Sequence, residues 1–516
     1  MKGAPYPVRR TGRTRREILA FGGLNWSDEW REGELSECEG LSLERYPCLS
    51  QRAGRKEAAR YAAPTALYAG ETLCVVDGTS FLYNGITEGT VLPGEKRFAT
   101  VNSQIVIFPD KLCFNTVTGV LRSLEASVSI LAGNGSFTAG TLEATGAGFK
   151  NAFRAGDAVE IRGCISHPGN NGRHIVRAVS AETLTFDPGI FEPGSEGGAV
   201  TVRRDVPDLE WICECDNRLW GAEGQTIYAS ALGDPFNFFV FDGLSTDSFA
   251  AAVGTGGAFT GCAAYGGAVL FWKEDCVHKV LGNFPAQYEI YTYHIPGVQD
   301  GSGKSLAVIN EVLYYKGRDG VYAYDGGTPE LVSGCFGQRR FYNASAGNGG
   351  GRYCISMRDE AGDWGLYVYT PSGPARGRWI REDRTHVLDF AALNGSLYYL
   401  DAGTGALTLT GQERDEGGRI PWSAVFCPFY EGTLGRKGYV RLYLRVELDE
   451  GAWMRVECRE DGGPFRPVWS SHDNRAGTAV IPLLPGRCDR FQIRLSGRGR
   501  CLVRSLEREF SIGSEK

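Results

Sequence analysis

The sequence predicts an all-β protein: a β-propeller of about seven hairpin repeats, with an inserted small β-barrel-like module and a C-terminal antiparallel β-sandwich. Three observations point there. A β-rich run, a glycine or Asp-Gly turn and a second β-rich run recur along the chain. Glycine is abundant, at 71 of 516 residues, beside 11% aromatics, as tight turns between short aromatic strands would require. The last part of the chain changes to longer, cleanly alternating strands.

Residues 1–55 read as an N-terminal arm and lead-in segment. The arm is basic, with Arg9, Arg10, Arg13, Arg15 and Arg16. It could touch DNA or an acidic partner; a solvated terminus is the plainer reading. It has no apolar export core, and no run of ~18 apolar residues follows. The expectation is a cytosolically made protein that is neither exported by that route nor membrane-spanning.

Residues 56–125 and 206–414 carry the repeats. The copies are ETLCVVDGTSFLYNG, SQIVIFPDKLCFN, NRLWGAEGQTIYASAL, GAVLFWKEDCVHKVLG, NEVLYYKGRDGVYAYDG, GRYCISMRDEAGDWGLYVYT and NGSLYYLDAGTGALTLTG. Large apolar residues alternate or cluster within each, as half-buried strands require. The later copies begin about 40 to 50 residues apart, the length of a four-stranded blade. Six or eight blades also fit, because a ring is often closed by strands from both chain ends, and a stack of sandwiches is the rival architecture. Residues 126–205 break the period with short strands such as GDAVEIRG and AETLTF, read as the inserted module. Residues 415–516 form the sandwich, with YVRLYLRVEL, WMRVEC, RFQIRLSG and CLVRSLEREFSI. Helix is scarce, expected only near residues 55–62 and 34–39.

A net charge of −6 argues against general nucleic-acid binding. Arginine outnumbers lysine about four to one, which suits subunit contacts or simply reflects a GC-rich genome. The 15 cysteines lie mostly in apolar runs without a CxxC pair, although Cys213 and Cys215 would share a strand face. Reduced, unbonded thiols are expected.

No residue is assigned as catalytic, cofactor-binding or metal-binding, and no enzyme activity is expected. GVQDGSGKS (297–305) misplaces the first glycine of a phosphate loop and precedes strand-like sequence. The histidines, His167, His174, His278, His294, His386 and His472, are scattered, and His278 reads as a strand residue. SHDNRAGT (471–478) only faintly echoes a sialidase box. The acid pairs Asp205/Asp208 and Asp383/Asp389 read as turn or surface carboxylates, though carboxylates at a propeller mouth can cleave glycosides. Asp77-Gly78, Asp242-Gly243, Asp319-Gly320 and Asp325-Gly326 read as exposed turns. The aromatic doublets Phe238-Phe239, Tyr314-Tyr315 and Tyr398-Tyr399 read as blade core, with sugar contact the sharper alternative.

The stretch WICECDNRLWGAEGQTIYASALGDPFNFFVFDGLSTDSF (211–249) resembles phage virion proteins, in which N-R-L-W-G, I-Y-A-S and G-D-P-x-N-F follow in that order. The succession continues through VLFWKEDCVHKVLGNFP and GSGKSLAVINEVLYYKGRDGVYAYDGGTPELVS. It is similar to the propeller of tail-completion proteins of short-tailed phages, the packaged-DNA stabilisation and tail-nozzle proteins. FGGLNWSDEWREGELSECEGLSLERYPCLSQRAGR (21–55) and the C-terminal GRCDRFQIRLSGRGRCLVRSLEREFSIGS resemble other segments of such proteins. The resemblance implies a virion tail component. It would form a ring of its own copies, as sixfold members do, below the portal or neck. Its partners would be the portal or adaptor and other tail proteins, with DNA passing through without specific contacts and no membrane. The alternative is a carbohydrate-binding or glycan-cleaving propeller at a phage tail tip or cell surface.

Overall fold

The structure is a computed structural model that describes residues 12–371, 377–472, 475–484 and 486–512. Seven four-stranded antiparallel sheets run as simple meanders, the build of propeller blades. The expected all-β class, propeller-type with a sandwich, is what the chain adopts. Blades 1 to 7 span residues 64–90, 97–123, 211–252, 261–293, 307–331, 341–383 and 387–412. Blade 7 takes its fourth strand from Gly54–Arg60, which pairs with Ala406–Gln412.

The chain divides into two compact units, residues 62–306 with blades 1–4, and residues 1–61 with 307–516, holding blades 5–7 and the sandwich. In the first unit blades pack face against face. Val76, Phe81, Ile105 and Phe114 fill the seam of blades 1 and 2. Val106, Phe108, Leu219 and Phe236 fill the next, and Trp220, Ile227, Val269 and Phe271 the third. LCVVD is an apolar run buried on both faces: Cys74 and Val76 enter the seam with blade 2, and Val75 is buried on the opposite face. The Asp-Gly pairs do turn the chain, with Gly78, Gly243, Gly320 and Gly326 all at positive φ. Asp242, Asp319 and Asp325 are exposed and Asp77 is half-buried, its carboxylate accepting from the Ala63 amide at 2.6 Å.

The insertion is two sheets, of four and five strands, over a core of Phe137, Leu142, Phe149, Phe153, Val159, Phe186 and Phe191. No closed barrel is seen among the described residues: strands of one sheet pair only within it. Its stem is held by Arg204, which donates to the Leu124 carbonyl and pairs with buried Asp157 at 2.5 Å.

The sandwich packs a seven-stranded on a six-stranded sheet. Residues 437–448 alternate buried and exposed, with Leu442, Leu444 and Val446 against Val456, Ile493 and Leu495. The lead-in segment also joins it. Arg13–Ile18 and Leu49–Gln51 pair with Cys501–Ile512, and Glu34–Glu39 pairs with Pro421–Phe426. Both expected helical pieces are therefore strands. Glu34–Glu39 buries Leu35 and Cys38 under the sandwich, and Gly54–Arg60 completes blade 7. Pairing partners hundreds of residues away override the local helix propensity of their Glu, Ala and Arg residues. The basic arm is likewise not simply solvated: Arg13 and Arg15 pair with Glu509, and Arg16 with Glu431. Arg9 and Arg10 lie outside the described residues.

Candidate functional site

A cavity of about 450 Å3 opens between blades 5 and 6 and combines aromatic walls with carboxylates. Its floor comes from Val312–Lys316, where strand alternation splits the tyrosine doublet. Tyr314 turns to blade 6, its ring stacked 5.4 Å from Tyr353 and tilted at 54° to Tyr369, 5.7 Å away. Tyr315 turns the other way and stacks on Tyr322 at 5.7 Å. Ile309, Val312, Ala323, Val332 and Pro371 complete the apolar lining.

The rim is polar. Asn310, Asp325, Thr328 and Glu330 are exposed along it. Asn310 sits at φ 48°, the left-handed region that Asn tolerates, at the turn into the tyrosine strand. Asp325 accepts from the Gly327 amide at 3.0 Å and keeps its other oxygen outside that bond. Burial raises the Tyr314 phenol, and the Glu330 charge raises it further; Tyr369 is raised by the same two causes, with Tyr314 adding. Both phenols thus remain O–H groups at neutral pH. Tyr314 and Tyr369 are only 5% and 2% exposed, blade core as the sequence reading of the doublet expected, so the cavity offers a ligand an apolar floor with little ring surface and a rim of an amide, a hydroxyl and two carboxylates. Two carboxylates at one groove are also the equipment of glycoside hydrolysis.

The other sequence candidates lie elsewhere. Asp383 is engaged by Arg55, whose guanidinium also donates to Glu382 at 2.6 Å and to the Tyr399 hydroxyl at 3.2 Å. Asp389 is buried. Asp205 pairs with Arg203 at 3.0 Å and bonds Glu160, and Asp208 pairs with Lys111 at 2.6 Å, so those two acids do not converge. Burial, then Glu160, push the Asp205 carboxyl up. Phe238 is core, while Phe239 lies under the Arg173 guanidinium at 3.5 Å. His278 is fully buried between the Thr255 and Thr292 hydroxyls, both at 2.8 Å, and burial lowers it to about 4. His167 meets Glu196 at 3.0 Å, His174 packs on Phe191, His386 stacks on Trp364 at 3.5 Å, and His294 and His472 are exposed. Among the described residues no three His, Cys, Asp or Glu groups converge as a metal site. Gly303–Ser305 is one 3-10 turn. Asp473 and Asn474 of the sialidase-like octad lie outside the described residues.

Sequence reading named Tyr314 and Asp325 but missed Tyr369, Glu330, Asn310 and Thr328. Only the YVYT alternation hinted at Tyr369. The rim residues are ordinary turn residues that the meander gathers.

No protein-family model and no curated protein sequence matches the chain. Solved structures do. BamB from Moraxella catarrhalis aligns at 11% identity over 70% of this chain and 97% of its own, with a TM-score of 0.34. An exo-beta-1,3-galactanase from Phanerochaete chrysosporium aligns at 8% over 57% and 96%, with 0.20. A family 43 arabinoxylan arabinofuranohydrolase from Bacillus subtilis aligns at 11% over 89% and 97%, with 0.16. The expectation that the chain is not an enzyme is withdrawn, because glycoside hydrolases stand among these matches. At such scores no site or substrate transfers from them.

Proposed function

We propose that this chain is a carbohydrate-binding or glycan-cleaving propeller protein at a phage tail tip or cell surface. The blade 5–6 groove is its glycan contact. The observation that carries this is the gathering of exposed Asn310, Asp325, Thr328 and Glu330 around one open cavity with an apolar floor. The resemblance of residues 211–249 to virion proteins favours a phage particle but does not choose a tail tip over a cell surface. Asp325 and Glu330 accept from sugar hydroxyls, Asn310 and Thr328 both donate and accept, and the apolar lining covers the ring face. The test is binding of, and reducing-end release from, a panel of bacterial surface polysaccharides and neutral oligosaccharides. Asp325→Asn and Glu330→Gln are exposed changes that leave the core untouched. One ligand should bind, and both variants should weaken it at least about tenfold. Binding by no glycan, or binding unchanged in both variants, overturns the reading.

A second reading, a ring of self-associated copies below the portal that extends or seals the DNA exit channel, has its own support. The residues behind the phage resemblance are structural. Buried Arg218 of N-R-L-W-G donates to the carbonyls of Ser230, Ser245 and Asp247. Asn237 of G-D-P-x-N-F donates to Asp157 and Asp234. They hold the 230–248 loop, as a shared virion architecture would require, and a net charge of −6 suits a channel that DNA slides through. Its partners would be the portal or adaptor and other tail proteins. A closed oligomeric ring in solution, with null particles that fill and then lose DNA, would favour this reading over the glycan one.

A further inference from the structure

Cys213 lies on Trp211–Cys215 of blade 3 and Cys262 on Gly261–Tyr265 of blade 4. These opening strands are neighbours across the blade seam. Both side chains are half-buried members of the one apolar cluster that fills this seam, beside Trp220, Phe249 and Phe271. Of the groups around the Cys213 thiol, Cys262 is the one that perturbs it most. All fifteen cysteines are free thiols, and ten are buried, while Cys48, Cys213, Cys215, Cys262 and Cys335 are half-buried.

We propose that Cys213 and Cys262 are an oxidation site that closes to a disulfide and staples blade 3 to blade 4. The oxidant is a low-molecular-weight disulfide, RSSR. One cysteine thiolate attacks a sulfur of RSSR, forms a mixed disulfide and releases RS−. The second cysteine, deprotonated, attacks the cysteine sulfur of that mixed bond and expels the other RS−. Two cysteine thiols are oxidised, one RSSR is reduced, and two protons end on two RSH. The reduced pair suits synthesis in a reducing compartment, and closure suits a particle that leaves it.

Contact with Cys262, then burial, hold the Cys213 thiol well above its ordinary range, so thiolate is scarce at neutral pH and closure is slow. The experiment therefore incubates the full chain with glutathione disulfide at about pH 8.5, where ordinary thiols begin to ionise. Intact mass and peptide mapping then read the product. The expected result is loss of two hydrogens, a 213–262 linked peptide, and a melting temperature raised by about 5 °C that dithiothreitol reverses. Cys213→Ser and Cys262→Ser should each abolish the bond, and Cys215→Ser should keep it. A persistent glutathione adduct, an unchanged mass, or a bond mapped to Cys215 or any other cysteine overturns the proposal. Because the readout is covalent, it is independent of whether any glycan binds.

Discussion

Blades 3 and 7 are both four-stranded meanders, yet they are assembled from opposite kinds of sequence. Blade 3 is contiguous, from Trp211 to Ala252, and each of its strands pairs with its sequence neighbour. Its long 230–248 loop is held from within by Arg218 and by the Asn237–Asp234 bond, with one further Asn237 bond to Asp157 of the insertion. Blade 7 joins 387–412 to Gly54–Arg60, more than three hundred residues earlier. The recruited strand is anchored by ions from outside the blade: Arg55 meets Glu382 and Asp383 of blade 6, and Arg52, just before the strand, meets Asp415 at 2.8 Å. The difference teaches where each blade is vulnerable. A local meander depends on its turns and internal bonds, whereas a strand recruited from afar carries a larger closure entropy and depends on what anchors it.

The largest effect should come from deleting residues 1–61. That removes the fourth strand of blade 7 and five sandwich strands together, so the unit they share with 307–516 should not fold, while 62–306 keeps its own cores. Limited proteolysis should leave a resistant fragment near 62–306; a resistant C-terminal fragment instead would refute the comparison. Conversely, removing the sandwich from residue 415 onward would expose Ile18, Phe21 and Leu35, so the arm must go with it.

Next in size is Arg55→Met. It strands two largely buried carboxylates and should cost about 3 kcal/mol in urea unfolding, at the low end for breaking such a network because the acids retain some solvent. The linked pH effect has a definite sign. Burial raises the Asp383 carboxyl, but the Arg55 guanidinium outweighs it and holds the group below its ordinary value. A depressed folded pKa contributes stability above the unfolded value and loses it as pH falls through the folded one. The stability gap between the native chain and Asp383→Asn should thus be present at pH 7 and close below about pH 4. A gap that widens in acid would contradict the pairing.

Arg218→Met should follow, at about 2 kcal/mol, because buried carbonyls lose their donor. Here proteolysis should begin within 230–248 before any global unfolding is seen. Smallest is Gly78→Ala, about 1 kcal/mol: nothing lies within 4 Å of the added carbon, so only the positive φ of 60° is strained. If Gly78→Ala proved as damaging as Arg55→Met, local turns would matter as much as remote anchors.

The sequence by itself determined what is encoded within about ten residues. The apolar run of LCVVD, the alternation of YVRLYLRVEL, the Asp-Gly turns and the count of hairpins all survive into the structure, because the pleat and the turn are local consequences of side-chain order and backbone sterics. Tertiary structure decided the rest. ELSECE and GRKEAAR carry helix-favouring residues, and only remote partners at 423–426 and 406–412 make them strands. The groove is of the same kind. Tyr369 meets Tyr314 only because two meanders pack face to face, while Asp325 and Glu330 reach the same cavity along blade 5's own meander. Asp383 could not be told from a free surface acid in the sequence, since its partner Arg55 lies 328 residues away. Interactions that close over such distances leave no periodic trace along the chain, and their energies arise only when the blades stack.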